Sequence, residues 1–250
     1  MIISPPLHAQ LCGLDAPNLV SRLAEIHESV TAFAFKSYVP GPSLAERLGI
    51  TPERALFCMG VDQLLSIRPK AADLVRELRG RNVVDQSDDL TWIDARAIRS
   101  RTYRPQSAVK ARYQALAMCS CCTQADTIVH VPMMDFRVQA PKGSSTTDRT
   151  LELIAEALIA INAPNGVILK SGNSYHYYGF ELLNQGNWYE FTARCLLLEP
   201  LVDVRYIAHR LLSGRAALRI TESSQKPHIP TVVACISENY WTLCKRDKKP

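Results

Sequence analysis

Asp135, the run Lys170-Ser-Gly-Asn-Ser-Tyr-His176, Asp203 and Arg219 carry the side chains needed to hold a divalent cation against a polyphosphate. Carboxylates offer the oxygen ligands that hard cations such as Mg2+ prefer. The turn Ser171-Gly-Asn-Ser174 offers hydroxyls, an amide and free backbone N–H groups, a set that can cradle phosphate oxygens, and Gly172 lets the backbone come close to a ligand. These residues are scattered over 85 positions, so the chemistry depends on a fold that gathers them.

Residues 127–222 read as strand, helix, strand, strand, helix, strand. Thr127–Val138 has an apolar strand pattern, and Thr147 or Asp148 caps a helix whose buried stripe is Leu151, Ile154, Leu158 and Ile161. Asn162-Ala-Pro-Asn-Gly166 ends that helix. Val167–Lys170 and Tyr175–Leu182 follow as strands, Trp188–Leu198 and Val204–Leu212 as two helical pieces separated by Pro200, and Ala216–Thr221 as the last strand of the unit. An RRM-like sheet sets its first and third strands side by side in the middle. Asp135 then neighbours His176 at a strand spacing of about 4.8 Å. Alternation puts Met133, Asp135 and Arg137 on one face of the first strand, and Ser174, His176 and Tyr178 on one face of the third.

The first half of the chain has less regular signals. Leu19–Val30 has helical spacing, Thr31–Val39 alternates like a strand and closes at Pro40-Gly-Pro42, and Leu90–Ile98 reads as a strand. Helices are expected at Ser43–Leu48, from Thr51-Pro52-Glu53, at Ala71–Leu78 and at Lys110–Met118. Thr231–Ile236 is a further strand before a basic tail. The expected fold is α/β (α+β), an N-terminal α/β module packed on an RRM-like βαββαβ half. The divisions are 1–120 for the module, 121–236 for the RRM-like half and 237–250 for the tail.

The 250 residues suffice for a real core. No run reaches the length of a membrane span, and no signal peptide is visible, so the eight cysteines are expected as reduced thiols in a cytoplasmic protein with no membrane partner. Net charge is +5, and residues 68–112 carry eleven Lys or Arg against six Asp or Glu. That local surplus suits a polyanion such as nucleic acid, and suits a solvated surface equally.

The order of four strings resembles the catalytic core of the archaeo-eukaryotic primase superfamily, especially its bacterial primase-like branch found in mobile-element and conflict-system genes. The strings are Val131-Pro-Met-Met-Asp-Phe136, Ser171-Gly-Asn-Ser-Tyr-His-Tyr-Tyr-Gly179, Val202-Asp-Val-Arg205 with His209-Arg-Leu211, and Leu218-Arg-Ile220 with Ile229-Pro-Thr-Val232. The resemblance implies that Asp135 and Asp203 hold Mg2+ or Mn2+, with His176 beside them in the catalytic set. It implies that Ser174 and His176 contact the triphosphate of the incoming nucleoside triphosphate and that Arg219 lies near the nucleotide. Lys170, Ser171, Asn173 and Arg137 complete the expected nucleotide-binding set. The implied reaction is template-directed nucleotidyl transfer on single-stranded DNA or RNA.

One departure matters. The family's first motif carries two acids separated by one residue, and the second place here is Arg137. Three outcomes stay open: another acid, Glu181 or Asp126, fills in; one metal suffices; or the site binds nucleotide or nucleic acid without transfer. A subunit of a replication or defence assembly, with a helicase or nuclease partner, is the further alternative.

Structural roles compete for each residue. Asp203 can be a helix N-cap, His176 a hydrogen-bonded sheet histidine, Ser171–Ser174 a plain hairpin turn, and Asp135 an ion-pair partner of Arg137. Cys119-Ser-Cys-Cys122 lacks a second pair at finger-like spacing and reads as buried thiols. Ser43–Thr51 resembles half of a helix-turn-helix, but the next helix is too apolar to read bases. Tyr175, Tyr177 and Tyr178 could stack bases only where the core does not claim them. Arg96, Arg99, Arg101 and Arg104 could grip a template backbone.

Overall fold

Two antiparallel five-stranded sheets form the framework, and the chain crosses from one to the other at Val131-Pro132. The computed structural model describes residues 5–38, 90–103, 115–137, 147–172, 174–223, 226–237 and 240–244. The first sheet contains β1 (Val30–Tyr38), β2 (Thr91–Asp94), β3 (Ala115–Gln124) and β4 (Thr127–His130) in the order β2-β1-β3-β4. β8 (Ala217–Arg219) joins this sheet along the N-terminal part of β3. The second sheet has the order β10-β9-β6-β7-β5, from β5 (Met133–Phe136), β6 (Gly166–Ser171), β7 (Ser174–Gly179), β9 (Thr231–Ser237) and β10 (Tyr240–Leu243). Among the described residues the helices are α1 (Pro5–Leu11), α2 (Ala16–Ile26), α3 (Ala95–Arg99), α4 (Thr147–Ala160), α5 (Gln185–Arg194) and α6 (Val204–Ser213), with a 3-10 turn at Cys195–Leu198 after α5. The class is α+β, and one buried apolar cluster runs from Leu11 to Ile236 through both sheets.

Local chemistry sets several boundaries. Asp15 caps α2 by accepting from the Asn18 N–H at 2.9 Å, and Asn184 caps α5 by accepting from the Asn187 N–H at 2.9 Å. The strand expected over Leu90–Ile98 stops at Asp94, whose carboxylate takes the Arg96 N–H at 2.7 Å and starts α3. The helix expected over Lys110–Met118 is corrected from Ala115 onward: these residues begin β3. Every residue from Ala115 to Cys122 is buried, so the stretch has no solvent face for an amphipathic helix to show. Ala125 and Asp126, both at positive φ (44° and 62°), make the two-residue turn from β3 to β4.

The single strand expected over Thr127–Val138 is two strands in two sheets. Pro132 has no N–H to give to a ladder. Its carbonyl instead accepts from Gly179 N at 2.8 Å, which docks β5 beside β7. β5 is consequently the edge strand of the second sheet and not a central one, and the last strand of the expected unit, β8, pairs with β3. The division expected at residue 120 falls inside β3, and part of the expected tail forms β10. Helices expected at Ser43–Leu48, from Thr51 and at Ala71–Leu78 lie outside the described residues, as do Asn173 and Arg104.

The cysteines depart from an all-thiol chain. Cys12 and Cys244 are joined as a disulfide, because α1 and the end of β10 bring their Cα atoms to 5.1 Å. Cys119, Cys121 and Cys122 are buried thiols, with burial pushing Cys119 and Cys122 up to about 12. Among the described residues no helix is long and apolar enough to cross a membrane.

Candidate active site

The β5–β7 ladder pairs Asp135 directly with His176, and the flanking pairs are Met134 with Tyr177 and Phe136 with Tyr175. Residues opposite one another in an antiparallel pair share a face. Asp135 and His176 therefore stand on one side of the second sheet. On the other side, Tyr177 packs against Phe191 of α5, with ring centroids 6.1 Å apart, and its hydroxyl donates to the Pro164 carbonyl. Arg219 of the first sheet acts on the Asp135 carboxyl and, with Tyr206 of α6, on Tyr178 of the same face, so the site lies where the two sheets face each other.

The outer edge of β5 receives the segment before α6. Phe136 forms an antiparallel bridge with Val202, and Arg137 N donates to Leu201 O at 2.9 Å. That register brings Asp203, the residue before α6, level with Asp135 on the side away from His176. The three residues form one row, and the Asp203 charge acts on the Asp135 carboxyl. Asp203 also occupies the N-terminal cap position of α6, with its carbonyl accepting from Ile207 N at 3.1 Å.

Titration reflects this crowding. Asp135 retains 37 % exposure of its side chain, yet its surroundings push its carboxyl up to about 6. Loss of hydration is the main cause; Lys226 opposes it, Asp203 adds to it, and Arg219 opposes it. His176 is 3 % exposed and is held down to about 3 by burial and then by Lys226 and Arg219. It is neutral at physiological pH, so the 3.6 Å approach of its Nε2 to Asp135 Oδ1 is a contact with a neutral ring and not an ion pair.

Arg219 bolts the site together. It is 5 % exposed and projects from β8 of the first sheet to the second. Its guanidinium donates to the Thr221 carbonyl, to the His228 carbonyl at 2.9 Å and to Ser171 Oγ at 3.2 Å. Gly172, at φ 69°, makes the turn that follows Ser171. Ser174 Oγ donates to the Phe136 carbonyl, tying the start of β7 to the end of β5.

Some expected residues stand elsewhere. Lys170 pairs with Tyr175, which puts it on the opposite face of the sheet from Ser171 and His176. Arg137 is exposed and makes no ion pair with Asp135; among the described residues the cations acting on that carboxylate are Lys226 and Arg219. Neither substitute acid reaches the site from its position. Asp126 is at the exposed tip of the β3–β4 turn, and Glu181 is exposed beyond the far end of β7. Tyr175, Tyr177 and Tyr178 are all fully buried and offer no stacking surface. Arg99 is consumed by the carbonyls of Ala24, His27, Glu28 and Val30, leaving Arg96 and Arg101 as the exposed cations among the described residues of that segment.

Three site groups escaped the sequence reading. Lys226 is exposed, and its backbone exchanges hydrogen bonds of 2.9 and 3.1 Å with that of Ser223. Tyr38, at the end of β1, feels both Arg219 and Asp135, and Tyr206 on α6 feels Asp135. None belongs to a motif, and only the packing of distant segments around Asp135 reveals them.

The donor set suits a hard divalent cation. Two carboxylates share a row, one of them pushed up by burial and by the other, and a bound cation relieves both effects. Mg2+ is commonly held by one or two carboxylates, with substrate phosphates and water completing its shell. Three buried polar atoms near this row, His176 Nδ1, Tyr178 Oη and Arg219 Nε, have no hydrogen-bond partner among the described residues. Buried groups left in that state are what a polar ligand satisfies.

Residues 100–231, just over half of the chain, match the AEP-like family, described as archaeo-eukaryotic primase 1D-like. The matched stretch runs from the end of α3 to the first residue of β9 and contains Asp135, Ser171, His176, Asp203, Arg219 and Lys226. No curated protein and no solved structure matches the chain. The row of Asp135, His176 and Asp203 thus lies within a domain of known descent, and the chain belongs to the AEP-like, archaeo-eukaryotic primase 1D-like family.

Proposed function

We propose that this chain is a template-directed nucleotidyltransferase of primase-polymerase type, joining nucleoside triphosphates on a single-stranded nucleic-acid template. The observation that carries the reading is the row Asp203, Asp135, His176 across the edge of the second sheet, with Lys226 and Arg219 acting on it. Family membership supports it independently.

Asp135 and Asp203 are the residues that would hold Mg2+ or Mn2+. When bound, such an ion supplies charge stabilisation for attack of a 3′-hydroxyl and departure of pyrophosphate. The chain's own groups bind and orient. Lys226, exposed beside the acids, offers an ammonium to the triphosphate. Neutral His176 offers an N–H or a lone pair without adding charge to a cationic corner. Arg219 holds Ser171, and with it the end of β6, in place. Arg96 and Arg101 remain for backbone phosphates of the template.

A second reading, nucleotide or nucleic-acid binding without transfer, is favoured by Arg137 where the family's second acid stands. Incubation with Mn2+, ribo- or deoxynucleoside triphosphates and single-stranded template separates the two. Oligonucleotide product that is lost in Asp135→Ala supports transfer. Salt-dependent template binding with no product and no divalent-ion requirement supports the second reading. Arg137→Asp should then create or increase transfer at low Mn2+, since it supplies a third carboxylate.

A further inference from the structure

The two ends of the chain meet around four metal-ligating side chains. Cys12 N donates to His8 O at 3.0 Å, so the helical turn continues past α1 and stacks His8 and Cys12 on one side. The His8 ring nitrogens lie 3.5 and 3.7 Å from Cys12 Sγ. Cys244 N donates to Val233 O at 2.9 Å, which extends the β9–β10 ladder by one position. Cys244 is therefore opposite Val233 and on the same face as Cys235, two residues further along β9. The N-terminal segment is sewn to β9 by hydrogen bonds from Gly13 N to Val232 O (3.2 Å), Val232 N to Leu14 O (2.8 Å) and Ala16 N to Pro230 O (2.8 Å). One ligand atom from each of His8, Cys12, Cys235 and Cys244 lies within 4.8 Å of the other three.

We propose that these four residues form a structural zinc site in the reduced chain: a small thiol reductant opens the Cys12–Cys244 disulfide, itself becoming oxidised to its own disulfide, and the two freed thiols lose their protons on binding zinc as thiolates. Three sulfurs and one imidazole make a closed tetrahedral set for zinc, with no position left for water or substrate. Tetrahedral ligands about 2.3 Å from a zinc ion are roughly 3.8 Å from each other, inside the spread of these atoms. Soft thiolates discriminate against the hard cation expected at Asp135 and Asp203, so the two sites take different metals. A disulfide between Cys12 and Cys244 accounts for two of the four groups. It gives no reason for the buried thiol of Cys235 and the imidazole of His8 to gather at the same point. All four ligands lie outside residues 100–231. The site clamps α1 to β9, the strand beside β6, and it stands independently of the nucleotidyl-transfer reading.

The test is metal analysis of the full chain expressed with zinc and purified without chelator. The expected result is about one zinc per chain, released by a mercurial thiol reagent, with all eight cysteines alkylated under denaturing, non-reducing conditions in the presence of chelator. Cys235→Ser and His8→Ala each should speed zinc loss to a chelator by more than about tenfold. Cys235 takes no part in the disulfide, so this variant distinguishes the two accounts. Should the variants fail to fold, Co2+ added to the zinc-stripped, reduced wild-type chain should give the sulfur-to-cobalt charge-transfer bands and intense d–d bands of a tetrahedral thiolate site. Absence of zinc together with two cysteines that resist alkylation until reduced, or Co2+ spectra that lack the sulfur-to-cobalt charge-transfer bands, overturns the proposal.

Discussion

Asp135 and His176 face each other across β5 and β7, and burial drives their titrations in opposite directions, the acid up to about 6 and the imidazole down to about 3. Both shifts favour the neutral forms, because partial loss of hydration at Asp135 and full burial of His176 outweigh the nearby charges. Between the ordinary carboxylate value of 3.8 and about 6, the folded chain holds a proton on Asp135 that the unfolded chain lacks. Stability from this group therefore falls as pH rises through that window. Asp135→Asn should abolish transfer yet raise the melting temperature of the metal-free protein at pH 7.5 slightly, by about a degree, since the side chain is more than a third exposed and its shift is partly screened by solvent. The gain should disappear near pH 4, where wild type is also neutral at this position. Thermal melts at the two pH values check it.

The same carboxyl sets the acid limb of metal binding. Below about 6 a proton competes with the cation for Asp135, so Mn2+ affinity should drop by up to about tenfold per pH unit. Calorimetric titration of Mn2+ at pH 7.5, 6.5 and 5.5 measures it, and Asp135→Asn should show a weak, nearly pH-independent affinity.

His176 contributes with the other sign. Its folded value of about 3 lies below the ordinary 6.5, so the unfolded chain binds the extra proton and stability falls as pH falls through that range. His176→Gln removes this term. Urea unfolding should show that the stability lost between pH 6.5 and 4 is smaller in the variant than in wild type.

Lys226 is exposed, and its position is held by backbone hydrogen bonds with Ser223 and by the Ser223 hydroxyl, so Lys226→Ala should leave the melting temperature unchanged. Loss of one partly screened charge beside the triphosphate should raise KM for the nucleotide by about fivefold, and a charge reversal to Glu should cost more. Steady-state kinetics at two ionic strengths reads both effects.

The short elements of residues 127–222 were legible in the sequence because their apolar spacing and caps are local. The adjacency of Asp135 and His176 followed from strand order alone. What the sequence concealed was the passage between sheets. Val131-Pro132 reads as part of one strand, yet Pro132 lacks the N–H that a continuous ladder needs, and β4 and β5 part company there. The buried run Ala115–Cys122 carries no periodicity, so nothing local separated strand from helix. Lys226 and Tyr38 reach Asp135 only through tertiary packing, and their neighbours in sequence give no sign of it. His8, Cys12, Cys235 and Cys244 come from opposite ends of the chain, a separation no spacing rule spans.

The measurement that bears most directly on the account is anomalous diffraction from crystals soaked in Mn2+ and a nonhydrolysable nucleoside triphosphate. A manganese peak shared by the Asp135 and Asp203 carboxylates, with phosphate oxygens on its other side near His176 and Lys226, is the predicted result. A triphosphate bound with no peak between those two acids, or manganese held elsewhere while they stay apart, would contradict it.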